Sequence, residues 1–146
     1  MVKIHVFNGP NLNLLGQREP GQYGQRSLAD IMQELGEFAA SCGLELEHFQ
    51  TNSEGGMVDL IQDADGQGVD YIIINPAGYT HTSVAIRDAL LAVEIPFVEV
   101  HLSAVGAREP FRQVSYFSDI AIGVISGFHG ESYLLALQAI LNRIKP

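Results

Sequence analysis

The sequence predicts a parallel α/β domain in three layers, because five short apolar segments alternate with amphipathic helical segments along its 146 residues. Strands and helices in alternation form right-handed crossovers, which place helices on both faces of one sheet. Two segments indicate the strand order. Residues 44–49 alternate apolar and polar side chains, as edge strands do, whereas residues 69–74 are almost continuously apolar and β-branched, as covered strands are. The five-stranded, flavodoxin-like order 2-1-3-4-5 satisfies both patterns.

The element boundaries follow from helix caps, breakers and periodicity. Ser27 can cap a helix with Asp30 three residues on, and Gly43 ends the apolar repeat that follows. In the third helix the side chains expected to face the core are Val84, Ala85, Ala89, Leu90 and Val93. The predicted elements are a strand at Val2–Phe7, a loop at Asn8–Ser27, a helix up to Gly43, a strand at Leu44–Phe49, a helix from Ser53 to the glycines at 66 and 68, a strand at Val69–Ile74, a helix from about Thr82 to Val93, a strand at Phe97–Val100, an irregular segment at 102–118, a strand at Ile120–Ile125 and a helix at Glu131–Ile144.

Composition predicts one globular domain, residues 1–146, and excludes several partners. The chain is 47% hydrophobic, and no apolar run approaches the ~20 residues that span a bilayer, so neither a membrane partner nor a signal peptide is expected. Cys42 is the single cysteine, which excludes an intrachain disulfide and fits the reducing cytoplasm. A net charge of -9 argues against nucleic acid as a partner.

Three predicted loops are expected to bring polar side chains to one rim of the sheet. Ligands of open parallel sheets bind outside the carboxyl ends of the strands, where the loops after strands one, three and four meet. Those loops carry Asn11, Arg18, Tyr23, Asn75, His81, Ser83, His101, Ser103, Arg108 and Arg112. Arginines gathered there in an acidic protein favour a small anionic ligand, because guanidinium groups bind carboxylate or phosphate bidentately. Surface ion pairs are the alternative explanation.

The loop after the first strand is predicted to contain an active-site lid at about residues 16–26. Long loops in compact domains are usually functional or act as linkers, and a linker this near the start of a one-domain chain has nothing to connect. Repeated glycines would give the lid its freedom, and Arg18 and Tyr23 would close over the ligand.

Several chemistries lack the residues that they need. Neither a G-x-G-x-x-G fingerprint nor a Walker loop is present, so nothing indicates NAD or ATP. Ser83 has no nucleophile elbow around it and fits better as a helix cap. A metal site built on His81, Glu99 and His101 is conceivable, but the spacing is not that of metal ligands, and no metal is expected. Lys3 and Lys145 stand at the two ends of the chain, which leaves no candidate for a Schiff base.

Proton transfer next to a carbonyl group is the chemistry that remains. Tyr23 is a candidate general base, because the positive charge of Arg18 would lower the pKa of a neighbouring phenol. His101, held by Glu99 or by a backbone carbonyl, is a candidate general acid. A tyrosine that packs in a loop and a histidine that is merely hydrogen-bonded are the ordinary alternatives. Together these groups fit an elimination or an enolisation.

Three long stretches are recognisable: NGPNLNLLGQREPGQYG, NPAGYTHTSVAIRDA and EVHLSAVGAREPFRQVSY. They resemble the type II 3-dehydroquinate dehydratases of the shikimate pathway in order and spacing, and the resemblance extends to GESYLLAL near the end of the chain. It implies a flavodoxin-like fold and anti elimination of water from 3-dehydroquinate through an enolate, without metal or organic cofactor. It also implies a homo-oligomer, a dodecamer built from trimers.

The resemblance implies a role for each residue that matches the family. Tyr23 matches the base that removes a C2 proton, Arg18 the lid arginine that keeps this tyrosine acidic, and Asn11 a residue that holds the water stabilising the enolate oxygen. His101 matches the acid that protonates the departing C1 hydroxyl, and Glu99 matches its orienting partner. Substrate-binding positions are matched by Asn75, His81, Leu102, Ser103 and Arg112.

Two backbone amides and three further positions complete the match or depart from it. The backbone amides of Leu102 and Ser103 correspond to those that grip the substrate carboxylate. Arg108 resembles a second lid-side arginine, and Asp88 a helix residue that reaches the site of a neighbouring subunit. Ala104 stands where asparagine is frequent in the family.

Two other functions remain open. A non-catalytic flavodoxin-like module that binds a small anion would use the same rim, and it would give the Tyr23 hydroxyl no role. A purely structural subunit of an oligomer would leave the clustered polar loops without a purpose. A dehydration assay separates both from the enzyme.

Overall fold

The computed structural model describes residues 1–16 and 26–145, in which a five-stranded parallel sheet lies between two layers of helices. The sheet order is 2-1-3-4-5, which confirms the predicted fold class. The strands are β1 Lys3–Asn8, β2 Glu45–Gln50, β3 Tyr71–Asn75, β4 Phe97–His101 and β5 Gly123–Ser126, and the helices are α1 Leu28–Ser41, α2 Glu54–Gly66, α3 Val84–Val93 and α4 Glu131–Ile144. Within the described ranges, none of the helices is long and apolar enough to cross a membrane.

Hydroxyl caps begin three of the helices where the sequence places serine. Ser27 and Asp30 form a reciprocal capping box at the start of α1. Ser53 accepts a hydrogen bond from the Gly56 amide at the start of α2. Ser83 accepts from the Ile86 amide, so α3 begins at Val84, two residues after the predicted start at about Thr82.

Strands β3 and β5 are shorter than predicted, because turns occupy the first residues of each predicted strand. The Val69 amide donates to the Ala64 carbonyl and closes the end of α2, so that β3 begins only at Tyr71. The amides of Ile120 and Ala121 both donate to the Phe117 carbonyl. This turn occupies the residues that were expected to open the last strand, and β5 covers only Gly123–Ser126.

The predicted inward face of α3 is partly wrong. Val84 is 56% exposed and Ala85 is also exposed, whereas Ile86 is fully buried. Ile86, Ala89 and Leu90 are spaced by three and four residues and form the buried stripe. The serine cap sets the start of the helix and thereby decides which of its faces meets the sheet.

Buried side chains form a separate core on each face of the sheet. One core joins the sheet to α1 and α4, and it contains Ile73 of β3. The other joins the sheet to α2 and α3, and it contains Ile72 and Ile74. Neighbouring residues of a strand point to opposite faces, so all three isoleucines are fully buried. The carboxyl ends of the strands stay open at one rim between these layers.

Close backbone packing fixes the chain just after β1. The Gly9 amide donates to the Asn75 carbonyl at 2.8 Å, and a Cβ atom added at Gly9 would lie 2.5 Å from the Pro76 carbonyl oxygen. A Cβ atom cannot approach an oxygen so closely, and the Pro76 oxygen belongs to the backbone, which cannot easily move away. The glycine therefore lets β1 leave the sheet directly beside the end of β3.

Gly9→Ala is expected to lower the free energy of unfolding by about 2 kcal/mol or more, because backbone must move to admit the methyl group. Gly36→Ala is the matched control, since its added methyl meets nothing within 4 Å in the middle of α1. That change should stabilise the protein by about 0.5–1 kcal/mol. Urea unfolding of the two variants measures the contrast, and equal midpoints would contradict the steric argument.

Candidate active site

A cleft of about 190 Å³ opens at the carboxyl ends of the central strands. The structure brings eight of the predicted site residues together around it: Asn11, Asn75, His81, His101, Leu102, Ser103, Arg108 and Arg112. They arrive from the segments that follow β1, β3 and β4, as the rule for open parallel sheets predicts. Their individual chemical roles stay predictions.

Two predicted site residues, Glu99 and Asp88, do not line this cleft, and the positions of two others are not described. Arg18 and Tyr23 lie outside the described residues, as does most of the predicted lid at about residues 16–26. Glu99 lies below the cleft and contacts His101. Asp88 is exposed on α3 and is absent from the cleft wall.

His101 and Glu99 form a buried pair at the end of β4. They are two residues apart in one strand, so their side chains share a face of the sheet. The His101 Nε2 atom lies 2.5 Å from the Glu99 Oε2 atom, and Glu99 is 1% exposed. The sequence predicted that Glu99 or a backbone carbonyl would hold the histidine, and in the structure the carboxylate holds it.

Two serines complete the hydrogen bonding of Glu99. The hydroxyl of Ser115 donates to Oε2 at 2.9 Å, and that of Ser118 donates to Oε1 at 2.8 Å. Burial alone would raise the pKa of Glu99, but the hydrogen bonds from His101, Ser118 and Ser115 outweigh it and lower that pKa. An ionised carboxylate only accepts, so His101 carries its proton on Nε2.

A second buried network fixes Asn75 in the cleft wall. Its Nδ2 atom donates to the Tyr133 hydroxyl at 3.1 Å, and its Oδ1 atom accepts from the Ala77 amide at 3.1 Å. The Tyr133 hydroxyl in turn donates to Asn8 Oδ1 at 2.5 Å. Burial raises the pKa of Tyr133 well above its usual range, so the phenol stays protonated and can both accept and donate. These contacts leave the second Nδ2 hydrogen of Asn75 for a ligand.

His81 reaches the cleft from the segment after β3, and the two arginines reach it from the segment after β4. His81 Nδ1 lies 2.7 Å from the Val114 carbonyl, which can only accept, so Nδ1 is the protonated nitrogen. Arg108 donates to the Ser103 hydroxyl at 3.3 Å, and Arg112 donates to Glu109 at 3.0 Å. Guanidinium groups at this rim suit an anion, because they bind carboxylate or phosphate bidentately.

Residues 1–16 and 26–145 contain no group of three or more His, Cys, Asp or Glu side chains placed to hold a metal ion. The cleft instead presents amides, imidazoles, guanidinium groups and the Ser103 hydroxyl. Such a set can bind a small polyhydroxylated acid and move protons on it.

The sequence did not indicate the serines or the tyrosine that support these groups. Ser115 and Ser118 lie within the predicted irregular segment 102–118, and Tyr133 falls within the apolar repeat of α4. An apolar helix face predicts burial and gives no sign of a hydrogen bond to another element. The spacing of Ser115 and Ser118 is at most a turn signal.

Comparisons with known proteins place the chain among dehydratases. The family model described as "Dehydroquinase class II" matches residues 2–141. The chain is 61% identical to the 3-dehydroquinate dehydratase of Cellvibrio japonicus over 95% of this chain and 94% of that protein. It is 56% identical to 3-dehydroquinate dehydratase 1 of Pseudomonas aeruginosa over 99% of each. The type II dehydroquinase structure from Butyrivibrio crossotus superposes with a TM-score of 0.94 at 42% identity, covering 96% of this chain and 97% of that one.

Proposed function

The chain belongs to the class II dehydroquinase family, and from this membership we propose that it removes water from 3-dehydroquinate to give 3-dehydroshikimate. It is a dehydratase, a hydro-lyase of the shikimate pathway. The observation that carries this conclusion is an identity of 61% over 95% of the chain to a relative with that name. The cleft agrees with it, because it combines an acid, hydrogen-bond donors and positive charge at one rim.

The first step of the proposed elimination breaks the C2–H bond. We assign Tyr23 as the base, and the positive charge of Arg18 as the group that favours its phenolate form. The electron pair moves onto the carbonyl oxygen and gives an enolate. Asn11 lines the cleft, and Asn52 accepts a hydrogen bond from its backbone amide at 3.0 Å. We assign to Asn11 the water that stabilises the enolate oxygen.

The second step breaks the C1–O bond. His101 is the acid that protonates the departing hydroxyl, and water leaves as the C1–C2 double bond forms. Because Nε2 is shared with Glu99, Nδ1 is the nitrogen that serves the substrate. The elimination is anti, with the base and the acid on opposite faces of the ring. The proton taken by Tyr23 must then return to the imidazole through solvent before the next turnover.

The remaining cleft residues hold the substrate in place. The backbone amides of Leu102 and Ser103 bind its carboxylate, as in the family that the sequence resembles. Asn75 offers its second Nδ2 hydrogen to a substrate hydroxyl, the unprotonated Nε2 atom of His81 accepts from another, and Arg112 and Arg108 supply positive charge. The reaction requires neither a metal nor an organic cofactor, since the protons move between side chains.

A homo-oligomer, a dodecamer built from trimers, is also part of the proposal. Val84, Asp88 and Leu91 are spaced by four and three residues, so they share one exposed face of α3. Two large apolar side chains at 56% and 48% exposure on that face suit contact with another copy of the chain. Asp88 between them would reach the neighbouring site. We place the enzyme in the cytoplasm, where the lone Cys42 stays reduced.

An ultraviolet assay tests the proposed function. Dehydration creates a double bond conjugated with both the ketone and the carboxylate, so purified protein given 3-dehydroquinate should raise the absorbance. Activity should survive borohydride and metal chelators, since the proposed mechanism forms no imine and uses no metal. A protein that binds 3-dehydroquinate without a change in absorbance would be the anion-binding module instead.

Light scattering on the same preparation measures the molecular mass in solution. The mass of a monomer would contradict the proposed dodecamer.

A further inference from the structure

The segment of residues 114–119, here called the 114–119 turn, is held from several sides. The Tyr116 amide donates to the Thr80 carbonyl at 2.9 Å, beside the cleft residue His81. Arg87 of α3 donates to the Tyr116 carbonyl at 2.8 Å and to Asp119 at 2.5 Å. The turn is therefore fixed relative to both the cleft and α3.

Two side chains of the 114–119 turn donate hydrogen bonds to Glu99. Ser115 Oγ accepts from the amides of Phe117 and Ser118 at 3.0 and 3.2 Å, so its hydroxyl hydrogen is directed to Glu99 Oε2. Ser118 Oγ reaches the other oxygen, Oε1. Both carboxylate oxygens thus receive a serine hydroxyl, and Oε2 also faces His101.

We propose that Ser118, together with Ser115, is a positioning residue of the dehydration: the two hydroxyls keep Glu99 ionised and aligned, and Glu99 in turn holds the His101 imidazole for protonation of the leaving hydroxyl. Neither serine lines the cleft, so both act through Glu99. This inference rests on the proposed role of His101 as the acid.

The charge balance around Glu99 makes this support necessary. A carboxylate that is 1% exposed loses nearly all hydration, and burial alone would favour its neutral form. Among the residues that the structure describes, the titratable or charged groups that share the cleft with His101 are His81, Arg108 and Arg112, and none of them is bonded to Glu99. Arg87 faces the turn from α3, but Asp119 pairs with it. Within residues 1–16 and 26–145, the donors to the carboxylate are therefore His101 and the two serines.

Ser118→Ala isolates this contribution, because Ser118 is an exposed residue whose side chain makes one hydrogen bond, to Glu99. We expect the pKa of the Glu99 carboxyl to rise by about one unit. The value of kcat should fall about tenfold, with KM within about twofold of the wild-type value. Titration of glutamate-labelled protein by carbon NMR measures the carboxyl pKa, and Glu99→Gln assigns its signal. The ultraviolet assay on intact protein gives kcat and KM.

Two matched variants decide whether the hydroxyl itself matters. Ser118→Thr restores the hydroxyl and should return both the Glu99 titration and kcat to wild-type values. Ser41→Ala removes a surface serine at the end of α1 and should change neither. An unshifted Glu99 titration in Ser118→Ala, or a loss confined to KM, would overturn the inference. Failure of the wild-type protein to dehydrate 3-dehydroquinate would instead overturn the proposed function, and the NMR titration would still report on the serine contacts.

Discussion

Tyr23→Phe is expected to slow the dehydration by about 10²–10⁴-fold while 3-dehydroquinate still binds. Phenylalanine keeps the ring and removes the hydroxyl, so the C2 proton has no base. The groups that we assign to substrate binding, including Asn75, His81 and Arg112, line the cleft independently of that hydroxyl. Steady-state kinetics measures kcat, and calorimetric titration measures the dissociation constant, which should stay within about tenfold of the wild-type value.

Tyr71→Phe is the matched control for this change. Tyr71 is the first residue of β3, and it packs against the core at the end of the strand opposite the cleft. Loss of its hydroxyl should leave kcat within about twofold of the wild-type value. A wild-type rate in Tyr23→Phe would show that another group removes the C2 proton, and the search for the base would then turn to the described cleft residues.

The strand order could be predicted because burial imposes it on the sequence. β2 is an edge strand with alternating polar residues, and β3 is covered on both faces, with Ile72 and Ile73 fully buried. The last strand was harder to predict. Ile122 and Val124 are apolar yet 38% and 46% exposed in the single chain. The apolar character of Ile122 helped to extend the predicted strand, although Ile122 precedes β5 and is not a core residue of the described chain.

The sequence predicts where the site lies better than it predicts the hydrogen bonds within the site. Topology alone brings the loops after β1, β3 and β4 to one rim, and the strand period alone puts Glu99 beside His101. Tyr133 and Ser118 reach the site across 58 and 19 residues of sequence, to Asn75 and Glu99 respectively. Local patterns carry no information about such contacts, which depend on how helices and turns dock.

His101 and Glu99 are expected to act together in one step, so a change to either residue should lower kcat. His101→Asn is expected to lower kcat by about 10²–10⁴-fold, because the C1 hydroxyl must then leave without an acid. Glu99→Gln keeps the shape of the side chain and removes its charge, and it should lower kcat by about 10–100-fold. His48→Asn changes an exposed histidine of β2 and should leave kcat unaltered.

The double variant His101→Asn with Glu99→Gln decides how Glu99 acts. Glu99 lies outside the cleft wall and contacts the reaction only through the imidazole, so the double variant should be no slower than His101→Asn alone. Equal rates for these two variants would show that Glu99 acts only by orienting the His101 imidazole and favouring its charged form. If the decreases in kcat of the two single variants multiply instead, Glu99 also acts on the substrate by a second route. Ser115 and Ser118 would then support that route.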